Sequence, residues 1–182
     1  MSIAITGNPG VGKHTITKKI SEILNLPIID INMVAKDLGL FEKNENTNDV
    51  DTQKLTKILE EMKLNQKIIV GHLAPYVLEK NQVKIIIILR RNPYDLESVY
   101  KERNYSKIKS KENTGSEILG IITHDTIEKF EEKVFQVNVS QKNIQTVVDE
   151  VLEIISKEQG GEVVDWLNLV TKNNDLKKFF TH

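Results

Sequence analysis

The sequence has 182 residues and no cysteine, which excludes disulfides and thiolate metal sites and suits a reducing compartment. It also lacks any apolar run approaching the roughly 18–20 residues that a membrane span requires. The N-terminus goes straight into a strand-like run, without the basic and apolar regions of a secretory signal. A soluble, cytoplasmic protein with no membrane attachment is expected. Charge of one sign is missing too: 25 basic and 26 acidic residues leave a formal net charge of -1. No overall field therefore favours nucleic acid, and sequence-specific binding to it is not expected. There is no internal repeat, no low-complexity segment and no hairpin turn signal. The four histidines are too scattered for zinc spacing, and no serine sits in a nucleophile elbow. With 39% hydrophobic residues, the length suits one core and a single domain over 1–182.

What is present is concentrated at the start. Ile3, Ala4 and Ile5 form a short β-prone run that breaks into Gly7-Asn8-Pro9-Gly10-Val11-Gly12-Lys13, followed by helix-compatible sequence to about Leu24. Strand, glycine loop and helix in that order make a phosphate cradle. Loop N–H groups point inward, the helix turns its positive end to the anion, and Lys13 adds a mobile charge for the β- and γ-phosphates. The spacing from Gly7 to Gly12-Lys13 is the G-x-x-x-x-G-K of a P-loop. The next residue is His14, where many P-loops carry a serine or threonine that touches magnesium, and Thr15 follows it.

Further along, apolar residues alternate between helical and strand patterns. Ile16, Ile20, Ile23 and Leu24 recur at helical spacing, and Ile28-Ile29 begins an extended piece. Asp30-Ile31-Asn32 offers an N-cap for a helix over Met33–Leu38, which Gly39 stops. The polar stretch from Phe41 to Thr52 reads as a mobile excursion. A helix follows on Leu55, Ile58, Leu59 and Met62, then a buried strand at 67–70 leading into Gly71-His72. Val83–Leu89 is nearly all β-branched and apolar, as in a central parallel strand covered on both faces. It delivers Arg90 and Arg91 to the same edge as the P-loop. Helices are expected over 95–103, 107–113 and, as one piece, 117–133. A last strand over 134–139, an amphipathic helix over 143–156 and a tail helix within 161–182 complete the pattern. Strands alternating with helices imply an α/β fold: a parallel sheet with helices on both faces.

Between Lys84 and Lys111, eight basic residues face three acidic ones, a bias whose simplest use is anion binding. Arg90, at a strand end on the ligand edge, is expected on the transferring phosphates. Arg103 is open to two readings, a site cation or a helix-end dipole partner. His72 could act in the site or hold its loop by hydrogen bonds. Asp30 could order magnesium waters or simply cap a helix.

Read together, Gly7–Thr15, Ile29–Lys36 with Gly39-Leu40, Gly71-His72-Leu73, Leu89–Pro93, Glu102–Ser106 and the run from Glu112-Asn113 to Ser116–Leu119 resemble the adenylate kinase isoenzyme 6 (CINAP-like) family in its archaeal form. The resemblance spans about Ile3 to Ile155, and Val164-Asp165-Trp166 also looks archaeal. It implies a three-layer P-loop NTPase fold, with a monophosphate-binding region over about 30–62 and a short lid over about 101–117. It implies reversible transfer from ATP to AMP giving two ADP, with magnesium. It further implies ATPase activity in small ribosomal subunit maturation beside a ribosomal protein. An ATP-gated assembly factor with little true kinase activity is the alternative. By the same resemblance Asn8, Gly10, Val11, Gly12, Lys13, His14, Thr15 and Arg103 would hold the donor nucleotide. Asp30, Asn32, Lys36, His72 and Arg90 would meet the acceptor, and Lys13, Arg90 and Arg103 would act in catalysis. The family places an acid two residues before the histidine, and here that position is Val70. No residue is assigned as a direct metal ligand, and the ion is expected to be held by phosphates and water.

Overall fold

A computed structural model describes residues 2–43 and 48–180. β1 (Ser2–Thr6) runs into the glycine loop and α1 (Lys13–Leu24), then β2 (Ile28–Asp30) and α2 (Ile31–Asp37). Next come β3 (Phe41–Lys43), β4 (Asn48–Val50), α3 (Thr52–Glu61), β5 (Ile68–Val70) and α4 (Ala74–Val77). β6 (Val83–Arg90) leads to α5 (Pro93–Glu102), α6 (Lys107–Leu119) and α7 (Ile121–Phe130). After a 3-10 turn at Glu131–Lys133 the chain forms β7 (Val134–Asn138), α8 (Ile144–Lys157), α9 (Trp166–Lys172) and α10 (Leu176–Phe180).

Five strands make one parallel sheet in the order β2-β5-β1-β6-β7. Strand side chains point alternately to opposite faces, and this sheet buries both. Ile3, Ile5, Ile85, Ile87 and Leu89 join Ile16 and Ile20 of α1 and Val147, Val148, Val151 and Ile154 of α8 in one cluster. Ala4, Ile69, Ile86 and Ile88 join Ile31, Ala35, Leu55, Leu59, Ala74 and Val77 in the other. The expected fold, helix on sheet on helix, is present. Its strands end together, and the loops after β1, β5 and β6 rise from one edge, where such sheets bind ligands.

Three local expectations are corrected. The polar stretch after Leu40 contains a second sheet, in which β3 and β4 pair antiparallel with Phe41 opposite Val50. Residues 44–47 of that stretch lie outside the described residues. The single helix expected over 117–133 is two, because Gly120 adopts the left-handed conformation (φ 63°), ending α6 and starting α7. The tail forms two short helices. There Val170 and Phe179 pack on Ile118 of α6, and Phe179 meets Tyr94 of α5 edge to face. On the way, the tail passes along β7: Glu162 N donates to Gln136 O (3.0 Å), and Asn138 N donates to Glu162 Oε1 (3.0 Å).

Candidate functional site

The glycine loop owes its shape to positions that reject a Cβ. Gly7 has φ 134°, and a Cβ there would run into the Leu89 carbonyl of β6. Gly10 has φ 89°, and a Cβ would lie 2.9 Å from the Tyr100 ring. α1 starts without a side-chain cap, which leaves its first N–H groups to an anion. Neighbouring elements clamp the loop from behind. Tyr100 Oη of α5 donates to Pro9 O (2.7 Å), Arg91 Nη1 donates to Gly10 O (3.2 Å), and Asn8 Nδ2 donates to Glu117 Oε2 of α6 (2.7 Å).

Lys13 is 5% exposed and donates through Nζ to Gly7 O (2.8 Å) and Asn8 O (2.9 Å). Burial lowers its pKa to about 8, with Arg103 adding to the shift and Glu117 and Asp30 opposing it. The ammonium thus carries a desolvation cost that an incoming polyphosphate relieves.

A cavity of about 1130 Å³ opens in front of the loop. The P-loop wall presents Asn8, Gly10, Gly12, Lys13, His14 and Thr15. A second wall, from α2, the β3–β4 hairpin and the loop after β5, presents Asn32, Phe41, Val50, His72, Leu73 and Tyr76. A third, at the ends of α5 and α6, presents Arg103, Tyr105, Lys109, Glu112, Asn113 and Ser116. Asn32 and Asn113 line the cavity, and their buried Oδ1 and Nδ2, respectively, have no hydrogen-bond partner among the described residues. Tyr105 stacks on Tyr100 and carries Lys109 Nζ 4.5 Å above its ring centre, so this cation is held over an aromatic face.

His72 lies on this cavity, and Asn32 Nδ2 approaches its Nδ1 at 3.4 Å. The contact links α2 to the loop after β5. Burial, then the charges of Lys13 and Lys109, lower the His72 pKa to about 4, which keeps the ring neutral. Asp30 caps α2 by accepting from Asn32 N and Met33 N, and its Oδ2 also lies 2.8 Å from His14 Nε2. Of the two readings of Asp30, the structure shows the helix cap, and the same side chain also reaches the residue after the P-loop lysine.

The structure brings together Asn8, Gly10, Gly12, Lys13, His14, Thr15, Asn32, His72 and Arg103 around the cavity. Four predicted residues, Val11, Asp30, Lys36 and Arg90, do not line it. Lys36 is on the exposed side of α2 and does not line the cavity. Arg90, expected on the phosphates, is 2% exposed and turned into the protein. Its Nε donates to Glu117 Oε1 (2.8 Å), Nη2 to Glu117 O (2.9 Å), and Nη1 to Gln136 Oε1 (2.8 Å). A guanidinium whose three nitrogens are all engaged in this way is a buried ion-pair partner. Val11 points into the apolar core behind the loop. Tyr100, Tyr105 and Glu117 hold the loop and the wall beside it; Tyr105 and Glu117 stood within motifs of the resemblance, but no individual role was assigned to any of the three. Away from any zinc spacing in sequence, the fold gathers His124, Asp125 and Glu128 with ligand atoms within 4.8 Å, although Asp125 already accepts from Tyr76 Oη.

As to metal, the oxygen donors near the loop are Asp30 and Thr15. His14 occupies the hydroxyl position, and Val70 is buried in the sheet. Such a set fits magnesium that arrives on phosphates and keeps its water shell.

A parallel sheet, a glycine loop on a helix N-terminus and a buried lysine at its centre define a P-loop protein. The chain belongs to the family described as AAA domain (AAA_18), whose profile matches residues 3–120. Among curated proteins it is 35% identical over 173 residues to a "Putative adenylate kinase" of Methanocaldococcus jannaschii, covering 91% of this chain and 93% of that one. A protein of the same description in Methanococcus maripaludis is 34% identical, covering 92% and 96%. Among solved structures, shikimate kinase from Aquifex aeolicus aligns with a TM-score of 0.53 at 17% identity, over 87% of this chain and 98% of that one. Shikimate kinase from Bacteroides thetaiotaomicron gives 0.52 at 19%, over 86% and 98%. These last two are likenesses of fold.

Proposed function

We propose that the chain is a nucleoside monophosphate kinase of adenylate kinase type, catalysing reversible transfer from ATP to AMP with formation of two ADP. One observation carries this reading: one large cavity joins the P-loop cradle to a separate wall that carries Asn32, Phe41 and His72. A phosphate cradle alone would serve one nucleotide; the added wall leaves space for a second. The description of the archaeal relatives supports the same chemistry.

In the transfer, an oxygen of the AMP phosphate bonds to the γ-phosphorus of ATP as the bond from that phosphorus to the β–γ bridging oxygen breaks, leaving ADP on each side. Loop N–H groups and Lys13 hold the donor phosphates. Arg103 and Lys109, on the lid wall, are placed to balance charge spread over the phosphoryl oxygens. Closure of the lid wall excludes water, which favours AMP over hydrolysis. Neutral His72 adds a hydrogen-bonding ring to the acceptor side of the cavity. Asp30 and Thr15 are the residues that would hold the water shell of magnesium arriving with ATP, which would supply neutralisation of the donor charge.

A coupled assay tests this. AMP-dependent ADP formation should appear and vanish with Lys13→Ala, whereas ATP hydrolysis indifferent to AMP would refute it. Titrating AMP, CMP, GMP and UMP at fixed Mg-ATP identifies the acceptor base. A second reading, an ATP-gated assembly factor that binds a ribosomal protein, is favoured by the basic stretch from Lys101 to Lys111, within which Ile108 is 62% exposed. Pull-down in both nucleotide states tests it, and failure to recover a ribosomal protein in either would remove it.

A further inference from the structure

We propose that Glu117 is the positioning residue of the P-loop, holding it to the lid helix and the C-terminal tail; this rests on the nucleotide site described above. Glu117 is fully buried in α6, and its carboxylate collects four donors from three separate segments. Oε1 accepts from Arg90 Nε (2.8 Å), Arg91 N (3.0 Å) and Trp166 Nε1 (3.0 Å), and Oε2 accepts from Asn8 Nδ2 (2.7 Å). Two routes lead from it to Lys13. Asn8, whose side chain Glu117 fixes, supplies one of the two carbonyls that hold Nζ. Arg91, whose backbone Glu117 fixes, donates from its guanidinium to Gly10 O. The loop is therefore gripped on both sides of Pro9 by groups that answer to one carboxylate.

Stability does not account for the arrangement. A buried ion pair contributes little beyond an apolar pair of the same volume, and an apolar pair could not orient the Asn8 amide. Nor is Glu117 a catalytic residue, since both of its carboxylate oxygens are taken up by protein donors and it does not line the cavity. Its charge also reaches Lys13, alongside those of Arg103 and Asp30, and it favours the protonated ammonium. The tail joins the same point: Trp166 donates to Oε1, and Val164 O accepts from Arg90 Nη1 (3.4 Å).

The test is a double-mutant cycle on the full chain with Asn8→Ala and Glu117→Gln, following kcat, both KM values and Mg-ATP affinity. Misplacing the loop is expected to lower kcat/KM for ATP by roughly ten- to a hundredfold in each single variant, with the KM for AMP unchanged. The double variant should be no worse than the poorer single one, because both substitutions cut one link. Trp166 is the sole tryptophan, so its emission should respond to Mg-ATP in the native protein and lose that response in Asn8→Ala, a variant that leaves the ion pair intact. Wild-type kinetics in Asn8→Ala, or losses that multiply in the double variant, would overturn the proposal. A native protein that binds no Mg-ATP would instead overturn the nucleotide-site reading itself.

Discussion

His14 Nε2 lies 2.8 Å from Asp30 Oδ2, so the residue that follows the P-loop lysine is tied to the acid at the end of β2. That acid is also the N-cap of α2 and, under the proposed function, the carboxylate that would hold the water shell of magnesium. Asn caps a helix about as well as Asp, so Asp30→Asn should cost under about 1 kcal/mol of stability. The magnesium concentration for half-maximal ADP formation should nevertheless rise several-fold. His14→Ser, which releases Asp30 and restores a hydroxyl, should move it the other way. A magnesium titration beside a melting curve separates the two effects.

Lys13 gives the site a pH dependence of defined sign. With its pKa lowered to about 8, the free protein loses the ammonium as pH rises through that value, whereas an ordinary lysine keeps its charge to about 10. Affinity for ATP should therefore be flat below pH 7 and fall across pH 8–9. Arg103 depresses the pKa, so Arg103→Ala should move the fall to higher pH, while weakening catalysis. Asp30 raises it, so Asp30→Asn should move the fall lower. Calorimetric titrations from pH 6.5 to 9.5 measure both.

The neutral ring of His72 makes a complementary prediction. Its pKa of about 4 lies below the working range, so no loss of activity between pH 5 and 7 should trace to this residue, and His72→Asn should leave the acid limb where it was. NMR should find the His72 ring titrating near 4. Removing the Lys13 charge with Lys13→Met should raise that value, since Lys13 is among the charges that depress it.

Arg90 should behave as a structural residue. Arg90→Met leaves the Glu117 carboxylate buried without its counter-charge, a loss of about 3–5 kcal/mol. For a chain of this length that is a fall in Tm on the order of 10 °C. Scanning calorimetry checks it. A variant that melts like the native protein while losing phosphate affinity would return Arg90 to the cavity.

Much of this was legible in the chain because it depends on local pattern. The β-branched run Val83–Leu89, the glycine spacing and the periodic Ile16, Ile20, Val147 and Val151 each report burial directly, and they fix sheet, loop and covering helices. Arg90 misled because a strand end specifies an edge but not a side chain's direction, and the carboxylate that captures it lies 27 residues later. Glu117 was hidden for the converse reason: one acid in a polar helix looks solvated until the tail and the P-loop close over it. The β3–β4 pairing escaped because its strands are three residues each, too short for alternation to register. Gly120 stood inside an apolar period that continued on both sides, so the helix break had no competing signal.

The segment that crosses β7 through Glu162 has a consequence for how the molecule behaves in a crowded solution. The outer rim of a parallel sheet is a row of unsatisfied amides and carbonyls able to recruit another chain. Here Glu162 occupies the Gln136 carbonyl and the Asn138 amide. A protein cut after Lys157 would uncover that rim, and would be expected to self-associate before any defect in turnover could be measured.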